Sequence, residues 1–138
     1  MDVSALAEQL REVDRRYAPP GGADRAAYAK QLAEWRLKEP DSEEVCSTGD
    51  ATSAWLLLWL CARYGIRTSR RPRQKPTTIC VHAPRGFATK ILWPQLQEMN
   101  RVFDQARALA VEEVATAWLG PEANSAPLFV DVEAPRSR

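Results

Sequence analysis

The apolar run at positions 54–62, AWLLLWLCA, constrains the fold of this chain more than any other feature. It is about half the length that a membrane span requires. A helix built from it has no polar side, so the rest of the chain has to cover it all round. Asp50, with Ser47 and Thr48 before it, can cap the start of this helix. Gly65 can end it in a left-handed conformation. We therefore predict a buried helix at the centre of the fold.

Two amphipathic helices are predicted ahead of the central one. Apolar residues recur at helical spacing from Val3 to Tyr17 and again from Ala27 to Leu37. Residues 19–22, Pro-Pro-Gly-Gly, separate the two segments and favour a helical hairpin. The polar stretch from Lys38 to Asp50 breaks the periodicity, and we expect it to be a loop.

Extended structure is predicted after the central helix. Residues 77–81 include several β-branched side chains, and with the short segment 66–68 they predict a β-hairpin over residues 66–82. Residues 128–132 favour one further edge strand. Helices followed by a small antiparallel sheet and more helix define an α+β fold.

A long C-terminal helix is the last predicted element. The helical pattern runs from Phe87 to Leu119, with a break or kink expected at Pro94. Counted from residue 95 as one helix, it would measure roughly 37 Å. Because that exceeds the diameter of so small a domain, a homodimer through this helix is an open alternative. Trp93 and Phe103 are its candidate interface residues.

Length and composition narrow the class of protein. The 138 residues predict a single domain over 1–132 with a polar tail at 133–138. The N-terminal residues show no signal-peptide pattern, and no membrane association is expected. Three cysteines and one histidine, without metal-ligand spacing, favour neither a disulfide scaffold nor a metal site. We expect a cytoplasmic protein without a cofactor.

Charge is strongly segregated along the chain. Residues 51–90 contain 8 basic residues and no acidic one, whereas residues 1–50 contain 7 basic and 11 acidic residues. Local potential rather than net charge attracts an anionic partner. The sequence therefore predicts that the β-hairpin binds nucleic acid or an acidic protein surface, with these candidate anion-binding residues: Arg67, Arg70, Arg71, Arg73, Lys75 and Arg85.

Two other interpretations of the basic hairpin stay open. The hairpin can be a solvated loop that pairs with the acidic segment 39–50, or the protein can be an adaptor for other proteins with no role in nucleic-acid binding. The central helix offers no polar side chain to a base edge, and the hairpin loop has no aromatic residue for stacking. Contact with nucleic acid would therefore be directed mainly at phosphates.

An enzymatic alternative rests on Cys46. It precedes the predicted central helix, whose free amides would favour a thiolate, and His82 lies near the end of a predicted strand. Asp131 could orient the imidazole. These three residues are the candidates for a small cysteine-dependent hydrolase or transferase. Phosphate-binding loops and the common hydrolase motifs are absent from the sequence, which favours a non-catalytic protein.

Overall fold

The structure, a computed structural model, describes residues 2–20, 24–70, 75, 77–106 and 111–120. The protein has the predicted α+β fold. Its described elements are, in chain order, α1 (Val3–Tyr17), α2 (Arg25–Lys38), β1 (Asp41–Ser47), α3 (Ala51–Tyr64), β2 (Arg67–Ser69), β3 (Thr78–Pro84), a π-helical turn (Ala88–Leu92), α4 (Trp93–Asp104) and α5 (Val111–Leu119). None of the described helices is long and apolar enough to cross a membrane.

Helix α3 is the buried centre of the fold, as predicted. Every residue from Trp55 to Cys61 is at most 9% exposed. The Asp50 carboxylate accepts a hydrogen bond of 2.8 Å from the Ser53 amide and caps the start of the helix. Gly65 ends it at a φ of 78°, a left-handed conformation that glycine adopts without strain.

The three strands form one antiparallel sheet in the order β1-β3-β2. The predicted hairpin is present, with Arg67 of β2 opposite His82 of β3. The prediction of a loop between Lys38 and Asp50 was wrong, because β1 occupies most of that stretch. The side chains of this strand that face the protein interior are those of Ser42, Glu44 and Cys46. Because two of these three are polar or charged, the sequence lacks the alternation of apolar and polar residues that identifies a strand.

The helices pack around α3 and the sheet. Helix α1 packs against α4 and α5, while α2 packs against α3 and β3. The break expected at Pro94 takes the form of the π-helical turn that leads into α4. The single helix predicted from residue 95 to 119 was wrong: α4 ends at Asp104, and the Gln105 amide turns back to the Val102 carbonyl.

This interruption removes the length argument for a dimer, since the C-terminal helices fold back on α1 of the same chain. The dimer itself stays a prediction. The strand predicted at 128–132 and the tail at 133–138 lie outside the described residues.

Candidate functional site

The sheet has one face turned away from the core, which we call the outer face. Ile79, Val81 and Ala83 of β3 belong to the core cluster that contains α3. Since successive side chains of a strand point to opposite faces, Cys80 and His82 lie on the other side. Cross-strand neighbours share a face. The outer face therefore carries, besides these two, the side chains of Glu43, Val45, Arg67 and Ser69.

His82 lies at the middle of a polar row across this face. Its cross-strand neighbours are Glu43 on β1 and Arg67 on β2. The imidazole Nε2 lies 2.8 Å from the Ser69 hydroxyl oxygen and 3.9 Å from a Glu43 carboxylate oxygen. The row thus changes from acidic at the β1 edge to basic at the β2 edge.

Four exposed cations lie on the hairpin and just after β3, in addition to Lys30 and Lys38 on α2 and Arg101 on α4. The side chains of Arg67, Lys75, Arg85 and Lys90 are exposed and make no ion pair or side-chain hydrogen bond in the described part of the chain. Of the other predicted anion-binding residues, Arg70 is half-buried and has an interaction of its own. Arg71 and Arg73 lie outside the described residues.

The backbone at Arg85 is held in place although its side chain is free. The indole Nε1 of Trp35 donates to the Arg85 carbonyl at 3.1 Å. The next residue, Gly86, has a φ of 83° and donates its amide to the Glu44 carboxylate at 2.8 Å. Two long-range hydrogen bonds therefore fix the turn from which Arg85 projects. Sequence reasoning gave no role to Lys90, although it lies in the same acid-free stretch.

The cysteine and histidine of the enzymatic alternative are not brought together. Cys46 lies within β1 opposite Ile79, on the inner face, while His82 lies on the outer face. The pKa of the Cys46 thiol is raised to about 11, mainly by burial and to a smaller extent by the negative charge of the nearby Glu44. The third candidate, Asp131, is outside the described residues. Cys46 is thus a buried thiol in a strand, and its position does not favour a thiolate.

Alkylation should show this directly. Because the pKa of Cys46 lies about 2 units above that of an ordinary thiol, its thiolate fraction near neutral pH should be roughly 100-fold lower. We expect iodoacetamide to modify Cys46 in the native protein at least that much more slowly than it modifies glutathione, measured by mass spectrometry of the tryptic peptide. If Cys46 reacted faster than glutathione, the hypothesis of a cysteine-dependent enzyme would again be favoured.

The contact between Ser69 and His82 does not have the geometry of a catalytic triad. In a triad the hydroxyl and the carboxylate approach different nitrogens of the imidazole. Here Ser69 and Glu43 both approach Nε2. We interpret this contact as a surface hydrogen bond of the hairpin, which sequence reasoning missed because it depends on strand register.

The two predicted interface residues have different environments. Phe103 is 6% exposed, and its ring centre lies 6.5 Å from that of Trp118, so it packs within the chain and its role at an interface stays a prediction. Trp93 is half-buried and lines a groove of about 430 Å³ along β1. We call this the edge groove. It lies between Glu44, Val45, Cys46 and Ser47 on one side and Ala88, Thr89 and Trp93 on the other.

No model of a protein family, no curated protein and no solved structure is significantly similar to this chain. Its function has to be inferred from its own residues.

Proposed function

We propose that this is a non-catalytic cytoplasmic binding protein that uses its basic hairpin, together with Arg85 and Lys90, to hold an anionic partner. The phosphate backbone of a nucleic acid is the partner that this chemistry fits best. The observation that carries the proposal is that the four cations Arg67, Lys75, Arg85 and Lys90 are exposed and have no ion pair among the described residues.

The pairing of other arginines makes this observation informative. On α1, Arg11 and Arg15 pair with Glu8, and Arg16 pairs with Glu98 of α4. The three arginines of α1 are thus neutralised within the chain, whereas Arg67, Lys75, Arg85 and Lys90 stay available to a ligand. Arginine forks suit the paired oxygens of a phosphate.

The structure supports contact with phosphates better than the reading of bases. In a winged helix-turn-helix protein, the third helix reads the DNA and a β-hairpin follows it. Helix α3 is the third helix here and precedes the hairpin, but its central side chains are buried and cannot enter a groove of DNA. The described outer-face residues include no phenylalanine, tyrosine or tryptophan for stacking on bases. Binding should therefore depend strongly on salt and weakly on sequence.

The test is a pair of charge-matched variants. Arg67→Gln with Arg85→Gln removes two of the free cations, and Lys30→Gln with Arg101→Gln removes two exposed cations elsewhere. In titrations of labelled duplex and single-stranded nucleic acid at low salt, we expect the first variant to bind about 10-fold more weakly or worse. The control variant should bind nearly as wild type does.

Equal losses in both variants would mean that only the overall charge matters, and the hairpin would not be the site. Binding of polyglutamate in preference to nucleic acid, lost in the first variant, would assign the surface to an acidic protein. Absence of binding to every polyanion at low salt would contradict the proposal.

A further inference from the structure

Strand β1 has an open edge with a defined phase. Just beyond the strand, the Thr48 amide donates to the Thr77 carbonyl at 3.0 Å. Even-numbered residues of β1 therefore direct their backbone groups to β3, and odd-numbered residues direct theirs away from the sheet. The outward amides and carbonyls of Val45 and Ser47 have no partner among the described residues.

This edge lacks the features that block the addition of another strand. β1 pairs with β3 over seven residues without a bulge, and it contains neither lysine nor proline. On the inner face, the edge groove separates β1 from the π-helical turn. On the outer face, Val45 is 50% exposed, and Leu37 is the one large apolar side chain of the described residues that is more exposed. Such an edge is suited to pairing with another strand.

The acidic side chains of β1 do not select a basic partner, because each has a partner within the chain. Asp41 forms an ion pair of 3.0 Å with Arg36, and Glu44 accepts the Gly86 amide at 2.8 Å. A carboxylate oxygen of Glu43 lies 3.9 Å from the imidazole on the neighbouring strand. The occupant of the edge is therefore determined by which strand can lie beside these acids without setting like charges opposite each other.

A second copy of the chain meets this condition in one register. When two identical strands pair antiparallel, the two-fold axis passes between one residue and its copy. An axis at Glu43 or Glu44 would set two glutamates opposite each other, which is unfavourable. An axis at Val45 places Glu43 opposite Ser47 of the second copy and Glu44 opposite Cys46. The two Glu44 residues are then diagonal neighbours, about 7–8 Å apart.

The same register makes the best use of the strand. With the axis at Val45, residues 43–47 of each copy lie within the pair, whereas an axis at Cys46 would leave only residues 45–47. The odd-numbered residues, whose backbone groups point outward, become the hydrogen-bonded pairs. The exposed side chain of Val45 is covered by its own copy.

We propose that the edge of β1 is a homodimer interface, at which β1 of a second copy adds antiparallel with the two-fold axis at Val45. The two strands exchange about six backbone hydrogen bonds, which supply the affinity of strand addition. This interface differs from the one predicted on the C-terminal helix. It leaves β2 with Arg67 at the two outer edges of the joined sheet, and it does not depend on the function proposed above.

Cysteine crosslinking tests the register. The two residues at the axis form a hydrogen-bonded pair with Cα atoms about 5.5 Å apart, which a disulfide can span. Val45→Cys is made together with Cys80→Ala, because Cys80 lies opposite Val45 within the chain and would compete. After oxidation with diamide, we expect most of this variant to run as a covalent dimer on a non-reducing gel.

Ser47→Cys, also made with Cys80→Ala, is the matched control. Residue 47 lies four positions from its copy along the paired strands, roughly 14 Å away, so this variant should stay monomeric on the gel. Equal crosslinking of the two variants, or no crosslinking of Val45→Cys, would overturn the proposal.

Sedimentation equilibrium without nucleic acid measures the association itself. We expect wild-type protein with twice the mass of one chain. Val45→Pro removes the N–H of both central hydrogen bonds at an edge position where proline is tolerated, and should raise the dissociation constant about 10-fold or more. Val45→Thr should associate as wild type does. A wild-type protein that is monomeric at about 0.1 mM would contradict the dimer and leave the proposed function untouched.

Amide hydrogen exchange identifies what occupies the edge. In the dimer the amides of Val45 and Ser47 should be protected, and dilution to the monomer should remove this protection. Protection that persists in a monomer would assign the edge to another part of the same chain, such as the strand predicted at 128–132, and would overturn the proposal.

Discussion

Alanine at each of the four central leucines of α3 should lower the free energy of unfolding by about 2–5 kcal/mol, with no silent position among them. The leucines are Leu56, Leu57, Leu58 and Leu60. Three of them are 0% exposed and Leu58 is 9% exposed, so each truncation leaves a cavity in the core. Urea unfolding with a common slope measures the effect.

Leu37 provides a matched control for this scan. It also lies on a helix but is 87% exposed, so Leu37→Ala should change the free energy of unfolding by less than about 0.5 kcal/mol. If α3 were amphipathic, one of its leucines would face solvent. Its replacement by alanine would then change the free energy of unfolding as little as Leu37→Ala does. Such a result would contradict the central position of the helix.

Replacing Asp14 by alanine should cost about 3 kcal/mol, because it strands a largely buried guanidinium without its counterion. The Arg63 Nη1 lies 2.5 Å from the Asp14 carboxylate, and their side chains are 17% and 18% exposed. The guanidinium carbon lies 4.5 Å from the ring centres of both Tyr28 and Trp59. Gln95, which is 0% exposed, donates to the same carboxylate oxygen at 3.2 Å.

Two controls separate this buried ion pair from ordinary surface charge. Glu12→Ala on the same helix breaks an exposed pair with Arg15 and should leave the unfolding midpoint nearly unchanged. Asp14→Leu combined with Arg63→Met removes both charges and should cost less than Asp14→Ala alone. A double variant less stable than the single one would contradict the interpretation that an uncompensated charge causes the loss.

The sequence was sufficient for those elements whose signal is local. An uninterrupted apolar run and two caps determine α3, and β-branched residues identify β3. Strand β1 was not predicted, because only one of its faces packs against the rest of the protein. Its partner, β3, is more than thirty residues away along the chain. Its pairing is non-local, and a β-propensity scale does not register such a contact.

The candidate site was predictable in composition but not in geometry. The acid-free stretch identified the basic residues, yet Arg63 is among them, and its largely buried guanidinium packs against two aromatic rings and pairs with Asp14. That Cys46 and His82 lie on opposite faces of the sheet could not be predicted. The face on which a residue lies follows from its position in a strand, and β1 was not predicted to be a strand. The end of α4 was equally hidden, since apolar spacing continues through Ala106.

The salt dependence of nucleic-acid binding by the wild-type protein tests the central claim most directly. If the four exposed cations each contact a phosphate, the logarithm of the association constant should fall linearly with the logarithm of salt concentration, with a slope of about −3 to −4. Titrations of a short labelled duplex from about 50 to about 200 mM salt are sufficient. A slope near zero, or no binding at the lowest salt concentration, would contradict the account.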